Sequence, residues 1–198
     1  MSKSFAALAS HPFKAGAGIS RPTQVLPQNI TLNDPAINVM TDLRSVSVVN
    51  VRAKTTLEKA NDKMIRYGVR LLLVMDDTDK VSGLLTATDV LGDKPVRFLQ
   101  QMGGTHADIL VRDVMTVQQE LEVSRLDDVL KAKVGDILAT LKASGRQHAM
   151  VVEEAADGTQ TVRGLFSATQ IARQLGVKVK SAEVAKVFAE IEAAVNAR

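Results

Sequence analysis

The chain has 198 residues, 45% hydrophobic and 24% charged, with a formal net charge of +3. That length suffices for one sizeable domain or two small ones sharing a core. So small a surplus, with no dense Lys/Arg cluster interleaved with aromatics, does not indicate strong nonspecific binding to nucleic acid. The absence of cysteine excludes disulfides, thiolate catalysis and Cys-based metal sites.

Residues 1–33 hold Gly, Pro and Ser with little periodicity, which predicts an extended arm. The opening MSKSFAALAS is too weakly apolar for a secretory signal. No apolar run approaches the length that spans a bilayer, so a cytoplasmic protein is expected. Val46 to Val51 is β-branched and partly alternating, which predicts a strand. Thr55 followed by Glu58 predicts a capping box opening a helix, with Leu57, Ala60, Met64 and Tyr67 on one face and Gly68 at its stop. Val69 to Met75 is a near-continuous apolar run, as in a strand buried on both faces. Asp76 to Lys80 is a polar turn, Val81 to Leu85 a second strand, and Thr86 starts another helix.

Pro95 predicts a linker helix carrying Val96, Leu99 and Met102, ended by Gly103-Gly104. Then the pattern returns. Val39-Met40-Thr41 recurs as Val114-Met115-Thr116, and Gly83-Leu84-Leu85-Thr86-Ala87-Thr88-Asp89 recurs as Gly164-Leu165-Phe166-Ser167-Ala168-Thr169-Gln170. The second copy has a longer hairpin, 153–163, and its first part, 121–133, has apolar residues at helix-like intervals. Ser181 would cap a last helix with Val184, Val187, Phe188, Ile191 and Val195 in one stripe. That stripe would dock on its own domain or on a second copy of the chain.

The order strand–helix–strand–strand–helix, the Val-Met-Thr openings and the Gly-x-x-Thr/Ser-x-x-Asp closings resemble the CBS family. The string Ile109 to Thr116 is similar to the opening of a second CBS domain. The resemblance covers roughly residues 34–176. It implies an α/β (α+β) fold of two CBS domains, 34–94 and 109–176, packed as a pseudo-two-fold pair. A linker helix (95–108) would join them and an amphipathic helix (177–198) would follow. It also implies nucleotide clefts between the copies, and pairs that dimerise again.

The site implied by the resemblance centres on Thr86 and Asp89, whose hydroxyl and carboxylate would meet the ribose and phosphate side of an adenine nucleotide. Read from the residues alone, Thr-x-x-Asp is also a helix cap. A helix N-terminus offers N–H groups to a phosphate, and a carboxylate one turn on can accept a diol. Ser167 and Gln170 keep the capping pattern but lose the carboxylate, and an amide grips a diol less well. The Ser167 cleft is therefore expected to be weak or empty. Arg70 and Gln147-His148 fall where family members place phosphate contacts, although a strand-edge charge and a half-buried histidine are the plainer alternatives. Gly83 belongs to the motif. Val46, Leu71, Leu72 and Leu84 would wall an adenine slot or serve as core. Arg97 is a more distant cation.

No catalytic motif is present. His11, His106 and His148 lack metal-ligand spacing, and there is no nucleophile elbow, Walker loop or dinucleotide fingerprint. Gly16-Ala17-Gly18 follows no strand, and Asp76 to Asp79 lacks the Gly and Glu of an EF-hand. The expected protein is a non-enzymatic, homodimeric regulator of the energy-sensing kind. It would bind AMP, ADP or ATP, with Mg2+ carried on the phosphates, and act on an unidentified regulated protein. The alternatives are a CBS-fold scaffold without nucleotide, or a nucleic-acid binder using Lys14, Arg21, Lys178 and Lys180.

Overall fold

The computed structural model describes residues 8–16, 22–179 and 184–196. Arg21, Lys180, Ser181 and part of the Gly16-Ala17-Gly18 stretch lie outside them. Two four-stranded sheets are formed, each wrapped by helices. The first repeat supplies β1 (Thr41–Asp42), β2 (Asn50–Arg52), α1 (Leu57–Tyr67), β3 (Leu71–Met75), β4 (Val81–Thr86) and α2 (Ala87–Leu91). The linker helix α3 (Lys94–Met102) follows. The second supplies α4 (Val111–Val114), β5 (Thr116–Val117), β6 (Val123–Arg125), α5 (Leu126–Val129), α6 (Val134–Ala143), β7 (His148–Glu154), β8 (Gln160–Ser167) and α7 (Ala168–Gln174). The chain then reaches α8 (Val184–Asn196).

The two repeats exchange their leading strands. The sheets run β2-β3-β4-β5 and β1-β8-β7-β6, so β5 completes the first repeat's sheet and β1 the second's. Thr116 pairs with Leu84, and Thr41 with Leu165, both antiparallel. The exchange continues upstream. Leu57 N donates to Ile109 O and Val111 N to Thr55 O; reciprocally, Val134 N donates to Asp34 O and Ala36 N to Ala132 O. The exchanged segment accounts for a difference at α1. The helix starts at Leu57 with Thr56 as its cap and no side-chain capping bond, rather than with a Thr55/Glu58 box. The other repeat's backbone satisfies the first N–H instead.

The strand expected over Val46 to Val51 is shorter and later. Only Asn50–Arg52 pair with β3, while Val48 packs between the repeats and Val49 against the first core. The helix-like stretch 121–133 divides into β6 and the short α5. Tyr67, placed on the buried face of α1 by periodicity, is exposed, whereas Leu57, Ala60 and Met64 are buried. Gly68 ends α1 at φ 62°, the left-handed conformation that favours glycine.

Three cores result. Leu72, Val74, Leu85, Ile109 and Val111 belong to the first, and Val39, Met40, Phe166, Ile171 and Leu175 to the second. Between them, Leu71, Leu73, Leu84 and Met150 form a third. The apolar run of β3 thus serves two faces: Leu72 and Val74 look into their own unit, Leu71 and Leu73 toward the other repeat. The end of the arm is built in as well. Ile30 is buried, its N–H donates to Gln174 O, and Gln24 bonds both Met40 O and Asp42 N. Val187, Phe188 and Ile191 of α8 are buried in the second core, with Val195 against it, so the stripe docks on its own chain.

Candidate functional site

A cavity of about 160 Å3 opens between the repeats. The first repeat contributes Leu84, Thr86, Thr88 and Asp89; the second contributes Thr116 and Leu121 from its leading segment, Gly145, Arg146 and Gln147 from the α6–β7 turn, and His148 from the start of β7. The exchange of leading strands brings these distant segments together, because β5 lies directly beside β4.

Thr86 and Asp89 form a reciprocal cap. Asp89 Oδ2 accepts from Thr86 N at 2.8 Å and from Thr86 Oγ1 at 2.7 Å, while Asp89 N donates to Thr86 Oγ1 at 3.3 Å. The carboxylate is buried, and its Oδ1 lies 2.6 Å from Lys94 Nζ. The free N–H groups expected at this helix start are in part already used. Ala87 N donates to Arg70 O and Asp89 N to Thr86, in a helix of only five residues. The cationic group on the cavity wall is instead Arg146, whose guanidinium also donates to Glu120 O at 3.2 Å.

His148 faces the cavity half-buried. Burial pushes its imidazole down to about 4, with the positive charge of Arg70 adding to the effect and Asp89 opposing it. The ring is therefore neutral at pH 7, a donor or acceptor rather than a cation.

The remaining expected residues lie elsewhere. Leu72 sits in the first core and does not wall the cavity. Leu71 is in the layer between repeats, next to Leu84. Gly83 lies under the exchanged strand: an added methyl would meet Thr116 O at 2.6 Å. Val46 holds, in the first repeat, the place that Leu121 holds in the second, since Thr41 and Thr116 begin equivalent strands. Arg70 likewise matches Gln147, each accepting at its carbonyl from the first N–H of the following helix, Ala87 or Ala168. Val46 and Arg70 are thus the repeat counterparts of two cavity-lining residues and do not line this cavity themselves, although the Arg70 charge is felt at His148.

The Ser167/Gln170 capping box is only half formed. Gln170 N reaches Ser167 Oγ at 3.5 Å, but the Gln170 side chain turns to Arg173, accepting at 2.9 Å. An amide without charge is a weaker acceptor for the cap N–H, so the cation next door competes successfully. Arg97 pairs with Asp93 on α3.

Sequence reasoning missed Lys94, Thr116, Leu121 and Arg146. The repeat itself carried the signal for Leu121, since it is the counterpart of Val46. Nothing local marks Lys94 or Arg146. A larger cavity of about 600 Å3 lies between α6 and α8, lined by Leu138, Ala139, Phe188 and Ile191 with the Lys142–Glu192 pair at 2.5 Å. It gathers fewer convergent polar groups than the Asp89 cleft. Among the described residues no cluster of His, Asp and Glu could hold a metal, and no helix is long and apolar enough to cross a membrane.

Two α+β units with exchanged leading strands thus meet at a polar cleft, and comparison with known proteins places this fold. The CBS domain model matches residues 36–93. Similar solved structures include a conserved protein from Pyrococcus horikoshii (20% identity, 77% of this chain and 100% of that one, TM-score 0.53). A CBS-domain containing protein from Agrobacterium tumefaciens is also similar (15% identity, 72% and 93%, TM-score 0.52). So is CBSX2 from Arabidopsis thaliana, crystallised in complex with AMP (22% identity, 71% and 94%, TM-score 0.50). No curated protein matches the chain. Residues 36–93 thus match the CBS domain, and the chain has the fold of paired CBS domains.

Proposed function

We propose that this CBS pair is a regulatory module that takes one adenine nucleotide, AMP, ADP or ATP, in the Thr86/Asp89 cleft and passes its occupancy to a partner protein. The observation that carries the reading is the convergence of Asp89 and Thr86 from one repeat with Arg146 and His148 from the other around a single cavity. A carboxylate suits the ribose hydroxyls, a guanidinium suits a phosphate, and Leu84 and Leu121 offer apolar walls to the base. The AMP complex of CBSX2 supports the ligand class. Mg2+ would travel on the phosphates of ADP or ATP.

The cavity is smaller than the roughly 300–1000 Å3 of common small-molecule pockets. Binding therefore requires the two repeats to part slightly, and a change in their packing is what a partner would sense through differential affinity. A second copy of the chain is the simplest such partner, with a regulated protein beyond it. Because the two closings differ, one ligand per chain is expected: Gln170 offers no carboxylate and is tied to Arg173.

A second reading has its own support. Both oxygens of Asp89 already have protein partners, which suits a scaffold that binds no nucleotide. Thermal melting with AMP, ADP, ATP and S-adenosylmethionine, each with and without Mg2+, separates the two. A ligand at a hundred times its Kd stabilises the native state by about 2.7 kcal/mol, which raises Tm measurably. A flat response across the panel would establish the scaffold.

A further inference from the structure

Lys94 opens α3, the helix that carries the chain from one repeat to the other. Its ammonium makes two contacts at once, with Asp89 Oδ1 at 2.6 Å and with the carbonyl of Val114 at 3.0 Å. Val114 directly precedes Met115 and Thr116, and Thr116 is both part of the exchanged strand β5 and a wall of the cleft. One side chain therefore ties together the buried carboxylate, the linker helix and the exchanged strand.

The two oxygens of Asp89 differ in what holds them. Oδ2 is gripped by the N–H and hydroxyl of Thr86 within the same turn of chain. Oδ1 has for its partner a flexible four-carbon stem whose side chain is 42% exposed. Of the two, the lysine contact is the one that can be given up without opening the cap.

We propose that Lys94 occupies the place of a ligand hydroxyl in the unliganded protein and is released when the ligand arrives. It would thereby act as a specificity-determining positioning residue that reports occupancy to α3 and β5. The inference rests on the reading that this cleft takes an adenine nucleotide. A ligand bearing a ribose diol competes with Lys94; one lacking the diol leaves the ion pair in place. Release of the ammonium from Asp89 also frees its hold on Val114, at the point where one repeat hands its strand to the other. A local exchange of hydrogen bonds thus becomes a change in how the repeats are joined.

Calorimetric titration of the full chain with AMP and with 2′,3′-dideoxy-AMP tests this, using the native protein, Lys94→Met and Lys94→Gln. Both substitutions remove the competing cation, and they differ in polarity, so a folding defect peculiar to one does not imitate a shared gain. The expected result is AMP binding tighter by roughly threefold to thirtyfold in both variants, with the dideoxy ligand unchanged. Binding of AMP by the variants alone supports the same conclusion. Equal shifts for both ligands, or AMP binding unchanged or weakened while the native protein binds it, would overturn the role of Lys94 and leave the nucleotide reading standing. No AMP binding by any of the three proteins would overturn both.

Discussion

Met40 lies so close over Gly164 that a methyl group added to the glycine would meet its Sδ at 2.5 Å. The reciprocal contact exists in the other unit, where a methyl on Gly83 would meet Thr116 O at 2.6 Å and Met115 Sδ at 3.0 Å. The recurring Val-Met-Thr and Gly-Leu strings are thus two sides of one joint. Each repeat's methionine segment lies on the other repeat's glycine, which lets the exchanged strand approach a hairpin without a side chain in the way.

Substitution of these glycines should measure the joint. Gly83→Ala pushes against a strand backbone, and we expect a loss near the top of the roughly 1–3 kcal/mol typical of overpacking. Gly164→Ala meets Sδ, Cγ and Cε of Met40 all within 3.0 Å, and Met40 is itself buried, so a loss in the same range is expected. Urea denaturation monitored by circular dichroism measures both; a variant of either glycine as stable as the native chain would contradict the joint.

The two helix caps should differ in the same way as their hydrogen bonds. Asp89→Ala removes a reciprocal cap and an ion-pair partner, so the fold is not left untouched, and a loss of about 1–2 kcal/mol is expected. Ser167→Ala removes only a 3.5 Å bond and should cost less than half as much. Thermal melting of the two variants provides the comparison.

His148 makes stability depend on pH in a defined window. Its folded-state value is lowered to about 4 from an ordinary 6.5, so between those limits the unfolded chain binds more protons than the folded one. Stability is therefore full above about pH 6.5 and falls as pH drops toward 4, by at most about 3 kcal/mol. His148→Gln should flatten this slope between pH 6.5 and 4. A slope unchanged by the substitution would show that the ring is not held neutral.

Arg146 should discriminate charge. If it meets a phosphate, Arg146→Ala weakens AMP by roughly tenfold to a hundredfold, as for a charged hydrogen bond, and leaves adenosine unchanged. Competition titrations with the two ligands read this directly; a parallel loss of both would place Arg146 in structure rather than recognition.

The repeat was legible in the sequence because the Met–Gly joint needs particular residues at both ends. The buried run of β3 and the stop at Gly68 were legible for similar reasons, since double burial and positive φ each select residue types. The strand exchange was not, because β1 and β5 are two-residue strands whose pairing depends on distant segments. The same cause hid which residues share the cavity. Thr86, Asp89 and His148 line it together, whereas Val46 and Arg70 do not and Leu72 turns into the first core. Lys94 and Arg146 are isolated cations in sequence, and only the fold brings them to Asp89 and to the cavity.

The central claim is that the Asp89 cleft, and not its Gln170 counterpart, holds one adenine nucleotide per chain. The most direct test is calorimetric titration of AMP into the native protein, Asp89→Ala and Gln170→Ala. The account predicts about one site per chain in the native protein, its loss in Asp89→Ala and its retention in Gln170→Ala. Two equal sites, undiminished binding by Asp89→Ala, or no binding by the native chain would contradict it.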